Sequence, residues 1–354
     1  MKFSVVPAAL VFHASEESVM YSLIRPYFLS LDPEIAHDRA LRCLSHVPRC
    51  CFPAPRDQSR TWMGIDFAHP IGLAAGFDKN GEHLEALEKL GFSFIEIGTV
   101  TPRPQAGQTK PRLFRLPAAG ALINRMGFNN HGVDTMVENL KKTRYRGVLG
   151  INIGKNKDTA LDHAADDYLL CLRRLYAYAD YFTINISSPN TPDLRQLQQG
   201  AFFDDLIKRL CQTRAFLAEQ HQRYVPMLVK VSPDESDEVL KKMSDVALQR
   251  GLDGMIASNT TCARDEVKGE EHAKEAGGLS GTPLFHRSTH ALRVLKACVG
   301  EALTLIGVGG ISTQTQAQEK INAGANLLQL YTGLIYQGPT LVRQASKCLL
   351  PRQD

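Results

Sequence analysis

Read for hydrophobicity, the chain changes character near residue 60. Beyond it, short apolar runs rich in β-branched residues alternate with longer stretches whose apolar positions recur every three or four residues. Eight of the runs, at 71–75, 94–99, 148–152, 181–185, 227–231, 254–258, 303–308 and 326–331, have the length and composition of buried strands. Amphipathic helical patterns follow at 82–90, 133–142, 168–178, 202–219, 235–250, 288–299 and 313–323, and the segment from Pro339 supplies an eighth. Strands that are apolar throughout need cover on both faces, so eight strand–helix units in succession predict an α/β fold, a (β/α)8 TIM barrel. A doubly wound open sheet is the rival, but its early G-x-G-x-x-G turn is missing. Two connections, 101–130 and 261–281, are long enough to build hairpins or lids over one end.

Ahead of the barrel the pattern is different. Residues 19–28 are mostly apolar, interrupted at Arg25-Pro26. A second segment opens on Asp32-Pro33-Glu34, which reads as an N-cap, a proline at the first helical position and an acid in the first turn. Ala36, Ala40, Cys43, Leu44 and Val47 then share one helical face, and Pro48, Pro53 and Pro55 end the region. Two short helices are expected, forming a segment 1–55 attached to a barrel domain 56–354.

Composition narrows the partners. An apolar content of 44% suits a globular chain with a sizeable core, and a net charge of +4 without any dense Lys/Arg tract argues against nucleic acid. The eight cysteines are scattered, only Cys50 and Cys51 being adjacent, and neither C-x-x-C nor H-E-x-x-H occurs. Zinc and redox pairs are therefore not expected, and reduced thiols in a cytosol-facing protein are. No apolar run reaches the roughly 18 to 20 residues of a membrane span. The opening stretch 3–12, apolar behind Lys2, loosely resembles a signal segment but has no clear cleavage site after it, so secretion is not expected.

In a barrel of this kind chemistry sits at the carboxyl ends of the strands. The fourth run leads into Asn185-Ile186-Ser187-Ser188-Pro189-Asn190-Thr191-Pro192, where proline stiffens a set of amides and hydroxyls that can read a planar ligand. The other runs end in Gly76-Phe77-Asp78-Lys79-Asn80, Gly98-Thr99, Asn152, Lys230, Ser258-Asn259-Thr260, Gly309-Gly310 and Tyr331-Thr332-Gly333. Histidine is absent from these ends and Asp78 is the lone carboxylate, so divalent metals and paired-carboxylate glycosidase chemistry are poorly served. The turns after the seventh and eighth strands are where a barrel binds phosphate through backbone N–H groups. Lysines and amides opposite suit a ring rich in carbonyl and imide groups. Flavin mononucleotide (FMN) fits both halves; a sugar phosphate fits only the first.

The segments 74–80, 124–129, 151–156, 185–192, 258–261, 277–281 and 307–311 together resemble dihydroorotate dehydrogenase, in order from about residue 20 to the C-terminus. Ser188, where soluble class 1 enzymes have cysteine, and the extra N-terminal helices resemble the membrane-associated class 2, which passes electrons to a quinone. The resemblance implies FMN held by Ala75, Gly76, Phe77, Asp78, Lys79, Thr99, Asn152, Asn185, Lys230, Ser258, Gly281, Gly310, Tyr331 and Thr332. It implies dihydroorotate held by Lys79, Asn124, Arg125, Met126, Gly127, Phe128, Asn185, Asn190, Asn259 and Thr260. Ser188 would take the C5 proton while hydride passes from C6 to the flavin. A serine is a weak base and needs a desolvated site or a relay, for which Thr191 is the candidate.

Arg115 matches a family position beside the quinone; otherwise it is a hairpin surface charge. Val19, Met20, Leu23, Ile24, Tyr27 and Phe28, with the stripe Ala36, Ala40, Leu44 and Val47, exceed what packing on a barrel needs. An apolar funnel on the membrane surface is expected, with basic residues Arg39, Arg42 and His46 on other faces. The resemblance thus implies a peripheral enzyme on the cytoplasmic face of the inner membrane, in pyrimidine biosynthesis. The alternatives are a soluble dehydrogenase using fumarate or NAD, and a phosphate-binding lyase or isomerase with Lys79 or Lys230 as a Schiff base.

Overall fold

The computed structural model describes residues 14–52, 54–191, 193–348 and 350, with side chains from Tyr21 onward. The stretch 3–12, and the side chains of Val19 and Met20, lie outside what is described.

Two helices come first, α1 (Ala14–Ser30) and α2 (Pro33–His46). α2 starts as the sequence predicts, the Asp32 carboxylate accepting from the N–H groups of Glu34 and Ile35. α1, in contrast, runs on through Pro26. Its anchors are tertiary: Tyr21 donates to the Ile335 carbonyl at 2.6 Å and Arg25 to that of Tyr336 at 3.0 Å. Local propensity to stop at proline is overridden by bonds to residues three hundred positions away.

A short antiparallel hairpin, β1 (Arg60–Trp62) and β2 (Ile65–Phe67), follows; no sequence pattern announced it. The remaining elements are, in order, β3 (Ile71–Leu73), α3 (Leu84–Glu88), β4 (Phe94–Val100), β5 (Leu113–Leu116), β6 (Ala121–Asn124), α4 (Gly132–Lys142), β7 (Val148–Ile153), α5 (Ala164–Leu175) and β8 (Tyr181–Asn185). Then come α6 (Gly200–His221), β9 (Met227–Val231), α7 (Asp237–Arg250), β10 (Gly254–Ala257), β11 (Gly278–Gly281), α8 (Phe285–Val299), β12 (Thr304–Val308), α9 (Gln314–Asn322), β13 (Leu327–Leu330), α10 (Thr332–Gln337) and α11 (Thr340–Ala345). The eight predicted strands are β3, β4, β7, β8, β9, β10, β12 and β13, and they close a parallel barrel in that order. Each is buried along nearly its whole length, which is why each reads as a continuous apolar run.

The main core lies between strands and outer helices. A second cluster fills the barrel's lower interior: Phe94, Tyr181, Leu228, Ile256, Ile306 and Leu327, sealed from below by Phe67, Trp62 and Ile65 of the hairpin. Gly150 is needed there, since a Cβ on it would stand 2.1 Å from the Tyr181 ring. At the other end the two long insertions meet. β5 and β6 pair with each other, and β11 adds to β6, so the expected two lids are one three-stranded antiparallel sheet.

Candidate active site

One cavity of about 480 Å³ opens at the carboxyl ends of the barrel strands, beneath the three-stranded sheet. Its wall carries Ala75, Gly76, Phe77 and Lys79 from the turn after β3, Thr99 from β4, Asn185, Ser188 and Asn190 from β8 and its loop, and Lys230 from β9. Ser258, Asn259 and Thr260 follow from β10, Gly309 and Gly310 from β12, and Tyr331 and Thr332 from β13. The sheet contributes Asn124 and Gly281, and the loop after β6 contributes Met126, Gly127 and Phe128. Residues scattered over two hundred positions thus converge because parallel strands all end on one side.

Four of the expected residues do not reach the cavity wall. The Asp78 carboxylate is consumed locally, accepting from the N–H groups of Asn80, Gly81, Glu82 and His83, so it shapes the loop that presents Lys79. Arg125 turns away to pair with Glu275 at 2.6 Å and to cover the Phe114 ring, tying the two insertions together. Asn152 lies one layer deeper, accepting from Thr99 Oγ1 at 2.6 Å and Asn185 Nδ2 at 3.1 Å. Thr191 is buried with no partner for its hydroxyl among the described residues, and no hydrogen bond joins it to Ser188.

Beneath the wall lies a carboxylate that belongs to no strand end. Glu96 is fully buried in β4 and takes bonds from Asn152 Nδ2 (2.8 Å), Tyr181 Oη (3.1 Å) and Gln329 Nε2 (2.7 Å). Its signal was present, a lone charge inside an apolar run, but only barrel closure brings its three donors to it. Through Asn152 this network fixes the side chains of Thr99 and Asn185.

The two lysines differ. Lys79 Nζ donates to the Gly76 carbonyl at 2.8 Å. Lys230 has no hydrogen-bond partner among the described residues, although it is only 6% exposed. Burial lowers both ammonium pKa values, and for Lys230 the charge of Glu96 works the other way. An ammonium left without an acceptor at a cavity wall calls for an anionic ligand atom. At the ends of β12 and β13, Gly309 and Gly310 both take positive φ, and Thr332 and Gly333 open α10 with N–H groups that have no helical carbonyl to donate to. Phosphate at one end and a ring needing a cation at the other is what a flavin nucleotide presents, so the residues fit that cofactor.

Ser188 is buried on the wall, and its Oγ accepts from the Asn190 N–H at 3.2 Å. Amides are interlocked around it: Asn190 Nδ2 donates to Asn124, and Asn259 Nδ2 donates to Asn185 Oδ1 and Ser187 Oγ.

The cavity continues beneath the N-terminal helices, where Ile24, Phe28, Leu29, Ala40, Leu41, Leu44, Val47 and Phe52 line it. Between the two ends stands an aromatic chain, with His37 against Phe77 at 5.0 Å and Phe77 against Tyr331 at 5.3 Å. Burial, and next the Lys79 charge, push His37 down to about 4, so it is neutral near pH 7. Arg115 is not a surface charge: it donates to the carbonyls of Phe28, Leu29 and Leu31, satisfying the end of α1, and it also lines the passage. Arg112 grips Glu34 of α2 through two bonds while holding the carbonyls of Ala106 and Gln108. The helices are thereby bolted to the same insertion that roofs the pocket.

Fold and pocket together define a parallel α/β barrel with its candidate site at the carboxyl ends of the strands, the arrangement of barrel enzymes. Residues 58–351 match the family model for dihydroorotate dehydrogenase, and the chain belongs to that family. It is 59% identical over 323 residues to a dihydroorotate dehydrogenase (quinone) of Legionella pneumophila (strain Corby), covering 91% of this chain and 97% of that one. A protein of the same name from Herminiimonas arsenicoxydans is 50% identical over 341 residues, with 94% and 98% covered. A crystal structure of DHODH from Eimeria tenella in complex with ferulenol superposes with a TM-score of 0.83 at 38% identity, covering 89% of this chain and 90% of that one. The protein is therefore an oxidoreductase of this family, and the Schiff-base lyase reading falls.

Proposed function

We propose that the protein oxidises dihydroorotate to orotate with bound FMN and a membrane quinone as the electron acceptor, a step of pyrimidine biosynthesis. The observation that carries this is the single cavity with a hydroxyl-and-amide pocket at one end and an apolar passage at the other. A soluble acceptor such as fumarate or NAD has no use for that passage.

FMN would be held by Lys79, Thr99, Asn185, Lys230 and Ser258 around its ring and by Gly281, Gly310, Tyr331 and Thr332 toward its phosphate, with Asn152 acting through Thr99 and Asn185. Bound FMN supplies the acceptor for the two electrons leaving the substrate. The chain's own groups do the rest. Asn124, Asn190, Asn259 and Thr260 read the imide and carbonyls of the substrate ring, and Lys79 answers its carboxylate. Ser188 takes the proton from C5. The Asn190 N–H on its Oγ stabilises the oxygen as its own proton passes to a neighbouring water, while the C6 hydrogen leaves the substrate with its electron pair, and the sealed lower barrel and roofing sheet keep bulk water from the site. No hydrogen bond joins Ser188 to Thr191, so a relay between them requires a bridging water, for which the unpartnered Thr191 hydroxyl has capacity.

The helices support a peripheral contact with the membrane on its cytoplasmic side. Leu23 is 73% exposed, and Ile24, Tyr27 and Ile35 are exposed beside it. No helix among the described residues is long and apolar enough to cross a membrane. Purified protein should be yellow, carry about one FMN per chain and bleach anaerobically with dihydroorotate. A colourless preparation that is folded and active overturns the proposal.

A further inference from the structure

Lys320 is a buried cation without an assigned task. It sits on α9, fully enclosed, and its Nζ donates to Ser288 Oγ at 2.6 Å and to the Val308 carbonyl at 3.4 Å. Ser288 Oγ in turn lies 3.1 Å from the Gly309 carbonyl, and the Phe285 ring stands 5.3 Å from the ammonium. Of the elements packed on α9, namely α8, α11, β12 and β13, only α8 brings a charged side chain to bear among the described residues. That side chain is Arg293, which repels. Burial first, and then Arg293, bring the ammonium down to about 7. A buried charge with no counter-charge is costly, so the fold either holds a neutral amine here or receives an anion close by.

The carbonyls that Lys320 and Ser288 hold belong to the end of β12 and the start of the glycine turn. Gly309 and Gly310 line the cavity, whereas Lys320, Ser288 and Phe285 do not. A Cβ on Gly310 would stand 2.5 Å from Phe285 Cα, and one on Gly309 would stand 2.9 Å from Ser288 Oγ. The turn is therefore seated directly on the first turn of α8, with Lys320 behind it. Its carbonyls are engaged from that side, which leaves its N–H groups free for the cavity.

We propose that Lys320 is the counter-ion of the cofactor phosphate, a positioning residue that acts across the Gly309–Gly310 turn. It fixes the carbonyls of the turn through Val308 and Ser288, and its charge offsets the phosphate dianion that the turn receives. The inference rests on the flavin reading above and adds a residue that no strand-end pattern contains.

The test compares two flavins that differ only in the phosphate. Full-length chain stripped of flavin is titrated with FMN and with riboflavin, following flavin fluorescence. Wild type should prefer FMN. Lys320→Met should weaken FMN binding on the order of ten- to fifty-fold while leaving riboflavin binding unchanged. Equal losses for both flavins, or none, would mean that Lys320 only fills space and would overturn the inference. Should Lys320→Met fail to fold, wild type itself decides. FMN binding must then take up a proton, so the preference for FMN should decline as pH rises above about 7. A preference that stays flat from about pH 7 to 9 overturns the inference by itself. Wild type that binds neither flavin ends the flavin reading and this inference with it; wild type that binds both equally ends this inference alone.

Discussion

The two ends of the cavity are built on opposite principles. At the barrel mouth most polar side chains are buried or half-buried and bonded to one another, as in the chain Glu96–Asn152–Thr99 and the pairs Asn124–Asn190 and Asn185–Asn259, with Lys230 the exception. Under the N-terminal helices the lining is mostly apolar and the outer face stays exposed, Leu23 at 73% and Tyr27 at 54%. Interlocked hydrogen bonds fix positions to fractions of an ångström, which a proton transfer needs. Apolar surface fixes no orientation and tolerates a flexible, greasy ligand. One end is built for chemistry and the other for access, and Arg112 and Arg115 clamp them together.

The largest effect should come from removing the access end. Deleting residues 1–55 should abolish reduction of a long-chain quinone in vesicles while bleaching of the flavin by dihydroorotate continues at close to the full rate. Full quinone turnover by the truncated chain would show that the helices are not the route. Next is the base: Ser188→Ala should keep FMN and orotate binding but slow flavin reduction by about 10²–10⁴-fold in stopped flow. Ser188→Cys should recover part of that rate as pH rises and the thiolate forms. A wild-type rate for Ser188→Ala would place the base elsewhere.

The clamp gives an intermediate effect. Glu34→Ala strips the partner from an Arg112 side chain that is 8% exposed, and should lower stability by about 2 kcal/mol. This is below the cost for a fully enclosed pair, because Glu34 keeps some water. Quinone reduction should suffer more than dihydroorotate oxidation, and equal losses would mean that the two ends are not joined through this pair. Thr191→Val should slow flavin reduction only modestly, since no hydrogen bond joins Thr191 to Ser188; an unchanged rate removes the relay.

The smallest effect is a pH dependence of the passage. His37 titrates at about 4 in the fold against an ordinary 6.5, so the unfolded chain binds its proton more readily between those values. Stability should therefore fall as pH drops from about 6.5 toward 4, and His37→Phe should remove that part of the slope in chemical denaturation. An unaltered slope would mean that His37 is solvated.

The strands, most helices and the strand-end residues were legible because each rests on local regularities. Runs that are apolar on both faces mark parallel strands, and the barrel rule then places their polar ends at one mouth. Asp32 capping α2 and Ser188 beside its amides needed nothing more. Tertiary structure decided what depends on partners far away in the sequence. The hairpin plug was hidden because two three-residue strands carry no periodicity, and α1 crosses Pro26 only because Tyr21 and Arg25 anchor to α10. Asp78, Arg125 and Asn152 carry residue types suited to a site, yet the fold spends them on a loop, an insertion clamp and a lower layer. Glu96 and Lys320 were unreadable for the converse reason: a charge inside an apolar run, or a lysine on a helix as polar as α9, does not show what offsets its burial, and the donors and carbonyls that do so arrive from other strands and helices once the barrel closes.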